Sequence, residues 1–169
     1  MVSRGSAATA ALLEVLRGVP DPEVPALDIV GLGIVRQVEL RPDGVVAVDV
    51  TPTYSGCPAM HVIEQDIVAA LRENGYDRVE LRTVYSPAWT TDWLSDAAKA
   101  KLEAYGIAPP GRMAAGQPLV PLGPTVRQVT CPYCGSSNTE RKSEFGSTAC
   151  KAIHYCHHCR QPFEEFKAI

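Results

Sequence analysis

Cys131 and Cys134, then Cys156 and Cys159, form two Cys-x-x-Cys turns separated by 21 residues. Each turn sets two sulfurs on one side of a tight loop. Together they offer four thiolates, the donor set of a tetrahedral metal site with bonds of about 2.3 Å. The separation runs slightly past the usual ribbon range of about 15–20 residues; a longer hairpin between the knuckles accommodates the surplus. Zinc is the expected ion, held for structure rather than catalysis. Iron or a cluster comes second and a redox pair third. A thioredoxin-like pair needs a βαβ context and a helix after the motif, whereas Gly135-Ser136-Ser137-Asn138 reads as a turn. His157 and His158 lie inside the second knuckle and are expected to face solvent. A tail of about 40 residues has too little core to fold alone, so metal binding should supply much of its folding free energy.

Cys57 is the second candidate. It sits before Pro58, between a strand and the strongest helix of the chain. Free backbone N–H groups at a helix start favour a thiolate and would lower its pKa. Such a group could bind a soft metal, hold the edge of an iron–sulfur cluster or act as a nucleophile; the bland alternative is a buried cysteine serving as a small apolar residue. Nucleophilic catalysis needs a base and an orienting acid. His61 is one turn on, but no acid is evident. His61 and Glu64 share a helix face, but one reversed pair is not the doubled Glu-x-x-His of a di-iron oxygenase, so a solvated face is expected. Asp21 and Glu23 sit in a stiff turn and could line a site near Cys57. Gly146-Ser147-Thr148 lacks the ending of a phosphate loop. Cys150 falls between the knuckles, off the metal spacing: it is either a further thiolate or a packed residue of the hairpin.

These side chains need elements to position them. Ser6 can cap a helix to about Arg17, with Leu12, Leu13 and Leu16 inward. Three prolines in Pro20–Pro25 enforce an extended segment. Ile34–Leu40 and Val46–Val50 alternate around Arg41-Pro42-Asp43-Gly44, whose proline and glycine suit a type I turn, predicting a β-hairpin. Pro58–Asn74 carries Met60, Ile63, Ile67, Ala70 and Leu71 on one face and ends at Gly75, predicting a helix. Val79, Leu81 and Thr83 suggest a third strand. Asp92–Tyr105 suggests another long helix, with Leu94, Ala98, Leu102 and Tyr105 on one side. The expected fold class is α+β: a small α-β-β-α-β-α sheet-and-helix domain over residues 1–105, then a C-terminal zinc ribbon over 127–169. Between them, 106–126 holds five prolines and four glycines, too many for a helix or central strand, so it is expected to be a linker.

Composition narrows the function classes. Of the 169 residues, 46% are apolar and 21% charged, enough to pack a core. The net charge is −3; six Lys/Arg against four Asp/Glu give the tail +2 and leave −5 elsewhere. That balance, without a basic stripe among the aromatics, counts against nucleic acid. No apolar run is long enough to span a bilayer. Ala7–Leu13 reads as helix rather than signal peptide, which points to a reducing, cytoplasmic setting where cysteine pairs bind metal.

Several of these segments coincide with known motifs. Asp21-Pro22-Glu23-Val24-Pro25, Leu27–Val35, Thr51–Ala59 and Ser86-Pro87-Ala88-Trp89-Thr90-Thr91-Asp92-Trp93 resemble the metal–sulfur cluster assembly domain. Pro87-Ala88-Trp89 stands where that domain often has Pro-Pro-Trp. With the tail cysteines, Phe145–Ala152 and Pro162-Phe163, nearly the whole chain resembles the D (or J) subunit of the phenylacetyl-CoA oxygenase (1,2-epoxidase) system. The resemblance implies an accessory protein of aerobic phenylacetate degradation rather than an enzyme. It would assist iron–sulfur cluster assembly or insertion in the reductase component. Cys57 would be the cluster- or target-handling residue with Asp21 and Glu23 near it, zinc a structural cofactor and any iron–sulfur cluster transient. The implied partners are the epoxidase components and the assembly machinery; two subunits sharing a cluster would make a homodimer. A structural subunit of the oxygenase and a nucleic-acid-binding ribbon are the rival readings.

Overall fold

A computed structural model describes residues 7–54, 56–111 and 128–168. The chain divides into two compact units, Met1–Ala98 and Lys99–Ile169.

In the first unit α1 (Ala7–Arg17) buries Leu12, Leu13 and Leu16, the stripe that the 3.6-residue period requires. It leads through the proline-rich segment to β1 (Val35–Leu40) and β2 (Val46–Val50), which pair antiparallel with Val38 opposite Val48. Arg41–Gly44 closes as the turn chemistry predicts: Gly44 N donates to Arg41 O at 2.9 Å, and Gly44 takes φ 80°. α2 (Met60–Glu73) faces the sheet with Ile63, Ile67 and Leu71. It stops where Gly75 N bonds Arg72 O and Tyr76 N bonds Leu71 O. β3 (Val79–Thr83) returns parallel to β2, giving the order β1-β2-β3. Val46, Val48 and Val50 of the central strand are fully buried. The opposite face carries charge instead: Arg82 grips Asp49 through two bonds of 2.9 and 2.6 Å, and Arg41 reaches Glu80 at 2.7 Å. The result is an α+β layer pair with one dry and one solvated sheet face.

The single long helix expected over Asp92–Tyr105 is broken. Thr91–Trp93 is one 3-10 turn capped by Thr90, and Leu94 is extended at φ −62°, ψ 128°. Ser95 Oγ then accepts from Ala98 N at 3.0 Å and starts α3 (Asp96–Ala104). Two hydroxyl caps compete with continuous helix here. Of that side, Leu94, Ala98 and Leu102 are buried and Tyr105 is 59% exposed.

In the second unit β4 (Ile107–Ala108), β5 (Thr139–Ser143), β6 (Lys151–Cys156) and β7 (Pro162–Phe166) form a sheet of order β4-β7-β6-β5. β4 lies in the stretch expected as linker. It is short, runs parallel to β7 and occupies an edge, where proline neighbours are tolerated. Most of that expected linker, 112–126, is outside the described residues. β5–β6–β7 is an antiparallel meander. One apolar cluster comprises Ala108, Val129, Cys131, Cys156 and Phe163 with Cys159 packed on it, and Ile107, Ala152 and Phe166 are buried as well. Fold and spacing are those of a zinc ribbon.

Candidate functional site

Two knuckles build the metal centre. In the first, Gly135 N donates to Cys131 O and Cys131 N to Ser136 O, both at 2.9 Å. In the second, Arg160 N donates to Cys156 O at 2.9 Å and Cys156 N to Gln161 O at 3.0 Å. Each turn ends on a left-handed residue, Gly135 at φ 71° and Arg160 at φ 61°. The four sulfurs of Cys131, Cys134, Cys156 and Cys159 lie within 4.8 Å of one another. Cys131 and Cys159 stand 3.7 Å apart and Cys134 and Cys156 3.6 Å apart. Bonds of about 2.3 Å to a tetrahedral ion require sulfur–sulfur edges of about 3.8 Å, whereas a disulfide requires about 2.05 Å. The donor set therefore fits a four-coordinate soft or borderline metal. Among the described residues, no other group of three or more His, Cys, Asp or Glu has ligand spacing.

Burial pushes Cys159 up to about 12 and also raises Cys131. Cys156 is pulled down to about 6, chiefly by the N–H of Cys159, against its own burial. Binding a metal draws the remaining protons off the four sulfurs together. His157 is committed elsewhere: its Nε2 lies 3.1 Å from Glu140 Oε2, and its ring meets Tyr155 edge-on. His158 is exposed. Cys150 is 3% exposed, its sulfur 3.0 Å from Thr148 Oγ1, and its carbonyl accepts from Lys167 N. It sits at the opposite end of β6 from Cys156, about 20 Å away by strand rise, and is packed into the hairpin.

The Cys57 region is made by loops at one end of the three-stranded sheet. Thr51–Ala59 leaves β2, and Cys57 N donates to Tyr54 O at 3.1 Å. Asp21 is buried; its Oδ1 accepts from Glu23 N at 2.9 Å and Val24 N at 2.7 Å, locking the proline-rich turn. Asp21, Glu23 and Thr53 all act on the Cys57 thiol. The expectation of a lowered pKa is reversed. Burial raises it first; a bond from the Ala59 N–H opposes this, and the charges of Glu23 and Asp21 raise it further. α2 itself begins only at Met60, so Cys57 lies outside its first turn. Thr53, which bonds the thiol, carries no motif of its own; only its place four residues before Cys57 points to it.

His61 Nε2 pairs with Gln65 at 3.1 Å, while Glu64 accepts from the Thr83 hydroxyl at 3.0 Å. The two therefore do not converge on a metal. Trp89 is buried and donates to Leu32 O, and Arg36 lies over the Trp93 ring at 3.7 Å, fixing the last loop. The ribbon also holds a buried pair with no sequence signature, His154 and Glu165, whose Nε2 and Oε2 are 2.9 Å apart.

Comparison with known proteins agrees with both halves. Residues 9–88 match the family described as "Iron-sulfur cluster assembly protein", and residues 116–167 match "PaaD zinc beta ribbon domain". A protein of Bacillus subtilis strain 168 named Fe-S protein maturation auxiliary factor YitW is 35% identical over 54% of this chain and 89% of its own. The Staphylococcus aureus strain USA300 factor SufT, likewise named a maturation auxiliary factor, is 40% identical over 48% of this chain and 93% of its own. The crystal structure of the domain of unknown function DUF59 from Bacillus anthracis superposes with a TM-score of 0.54 at 32% identity, covering 57% of this chain and 92% of that one. The Bacillus subtilis and Staphylococcus aureus relatives are named as auxiliary factors rather than as catalysts. The Escherichia coli strain K12 protein named as the D subunit of 1,2-phenylacetyl-CoA epoxidase is 45% identical over 91% of this chain and 89% of its own, and the present chain belongs to that D-subunit family.

Proposed function

We propose that this chain assists iron–sulfur cluster assembly or insertion in the reductase component of a phenylacetyl-CoA epoxidase, in the cytoplasm. Cys57 would be the residue that handles the cluster. The observation that carries the reading is the convergence of Cys57, Asp21, Glu23 and Thr53 in the unit that matches the assembly family, apart from the four ribbon cysteines. Zinc is the metal we assign to the ribbon, from its four-sulfur donor set and the family match. The domains we assign are the assembly-type domain over 1–105, the linker over 106–126 and the ribbon over 127–169.

The cluster is cargo here. At neutral pH the Cys57 thiol holds its proton, so taking up an iron of the incoming cluster releases that proton to solvent. One thiol is an incomplete ligand set, and the remaining ligands come from a second copy or from the client protein. An incomplete, accessible set suits transfer better than storage. Asp21 and Glu23 disfavour a free thiolate between transfers, which limits its oxidation.

The test is iron and sulfide content of the reductase component produced with wild-type chain or with Cys57→Ala. Lower cluster occupancy with the variant supports the role, and full occupancy removes it. A stable structural subunit is the second reading, favoured by the name of the Escherichia coli relative. Co-purification with the catalytic components in fixed stoichiometry would favour that reading.

A further inference from the structure

On the β5–β6–β7 sheet of the ribbon, a cavity of about 240 Å³ is lined by Thr139, Arg141, Glu144, His154, Glu165 and Lys167, together with Ala168. Its floor is built from buried polar groups: His154 and Glu165 are 3% and 5% exposed. The two are paired through Nε2 and Oε2, and His154 stacks on Phe163 at 5.4 Å. His154 Nδ1 is buried and takes no partner among the described residues. Two cations stand in the lining. Arg141 holds Glu144 at 2.8 Å, and that carboxylate is on a side chain 57% exposed. Lys167 Nζ bonds only the Glu144 carbonyl, at 3.1 Å, and lies 4.6 Å over the Phe145 ring. No carboxylate pairs with it among the described residues.

We infer that this cleft is a carboxylate-binding site, in which Glu144 is the chain's own displaceable occupant. Glu144 shows that Arg141 takes a carboxylate at the mouth, and its exposed side chain can swing into water at little cost. An incoming carboxylate then bridges Arg141 and Lys167, with Arg141 offering the paired N–H geometry that carboxylates match. Charge selects the ligand class. With Glu144 displaced, Arg141 and Lys167 stand in the lining beside the Glu165 carboxylate that His154 already holds, and an incoming monoanion takes the place Glu144 leaves. A phosphate dianion would bring an extra negative charge over buried Glu165. The carboxylate can belong to an acidic side chain of a partner protein or to a free organic acid.

The test follows backbone amide shifts of residues 139–144 and 165–168 in the full, metal-loaded chain. The probes are acetate, the peptide acetyl-Gly-Glu-Gly-amide, its lysine counterpart and inorganic phosphate. Saturable shifts are expected with acetate and the glutamate peptide, and not with the lysine peptide. Glu144→Gln should tighten both about twofold by removing the internal competitor, while the double change Arg141→Gln, Lys167→Gln abolishes them with metal content unchanged. A peptide bound at least tenfold tighter than acetate assigns the site to a protein segment; equal affinity assigns it to a free acid. Absence of saturation in Glu144→Gln, phosphate binding as tightly as acetate, or binding unchanged in the double variant would each overturn the assignment.

Discussion

Trp89 donates its indole N–H to the carbonyl oxygen of Leu32 across 3.0 Å, binding the loop after β3 to the turn before β1. Both residues are buried, so water cannot replace a lost donor. Trp89→Phe should keep much of the ring volume, orphan the Leu32 carbonyl and cost about 1–3 kcal/mol. Urea unfolding followed by helical circular dichroism measures this. An unchanged midpoint would mean the carbonyl has found another donor.

Gly33 prepares the same corner. It takes φ 79°, and a Cβ there would meet Trp93 Cβ at 3.2 Å. Gly33→Ala combines left-handed strain with a crowded contact and should destabilise the first unit by about 1–2 kcal/mol in the same assay. The Gly75→Ala change has a comparable φ of 86° with nothing within 4 Å of its Cβ, and serves as the control for strain without the tryptophan.

The Cys57 thiol is expected to alkylate slowly at pH 8. Its pKa lies above the ordinary thiol value because burial, then Glu23 and Asp21, disfavour the thiolate. The rate should climb through the alkaline range and reach half its maximum at a pH above that of a free cysteine. Glu23→Gln removes a negative neighbour, lowers the pKa and should speed alkylation at pH 8 about two- to fivefold, since each pKa unit is worth tenfold in thiolate. Peptide-resolved mass spectrometry separates Cys57 from the ribbon cysteines. A fast reaction at pH 7 in the wild type would refute the acidic environment.

What can be read in the chain alone is what is local. α1, α2 and the β1–β2 turn follow from spacing and from Pro42 and Gly44, and the metal ligands from two four-residue motifs. The break at Leu94 is hidden because Leu94, Ala98 and Leu102 keep a four-residue rhythm and stay buried across it. β4 is hidden because its two residues are strand only by pairing with Glu164 and Glu165. The direction of the Cys57 pKa is misread from sequence because helix position is local, whereas Asp21, Glu23 and burial are tertiary. The His154–Glu165 pair needs the β6–β7 register, which sets Ala152 opposite Glu165 and so puts His154 diagonal to it.

Removing the metal should unfold the ribbon. The apolar cluster at the site includes three of the ligands themselves, so losing the metal frees the side chains around which that cluster packs, in a unit small enough to need a staple. Structural zinc in peptides of this kind contributes about 10–16 kcal/mol at neutral pH. Strong chelator, or Cys134→Ala, should abolish one bound metal per chain and the hydrogen-exchange protection of residues 151–156. Protection that survives complete metal removal would show that the strands hold themselves.

The two knuckles differ at the residue after the second cysteine. Gly135 and Arg160 occupy the same left-handed conformation, at φ 71° and 61°. Glycine adopts it without penalty, whereas a residue with a Cβ carries about 1 kcal/mol of strain. Nothing lies within 4 Å of a Cβ built on Gly135, so Gly135→Ala tests backbone strain alone and should weaken metal retention about fivefold. Arg160→Gly should do the reverse, strengthening retention against a competing chelator by a similar factor, because its N–H to Cys156 O remains. The opposite signs distinguish backbone strain from any general loosening of the ribbon, which would weaken both variants.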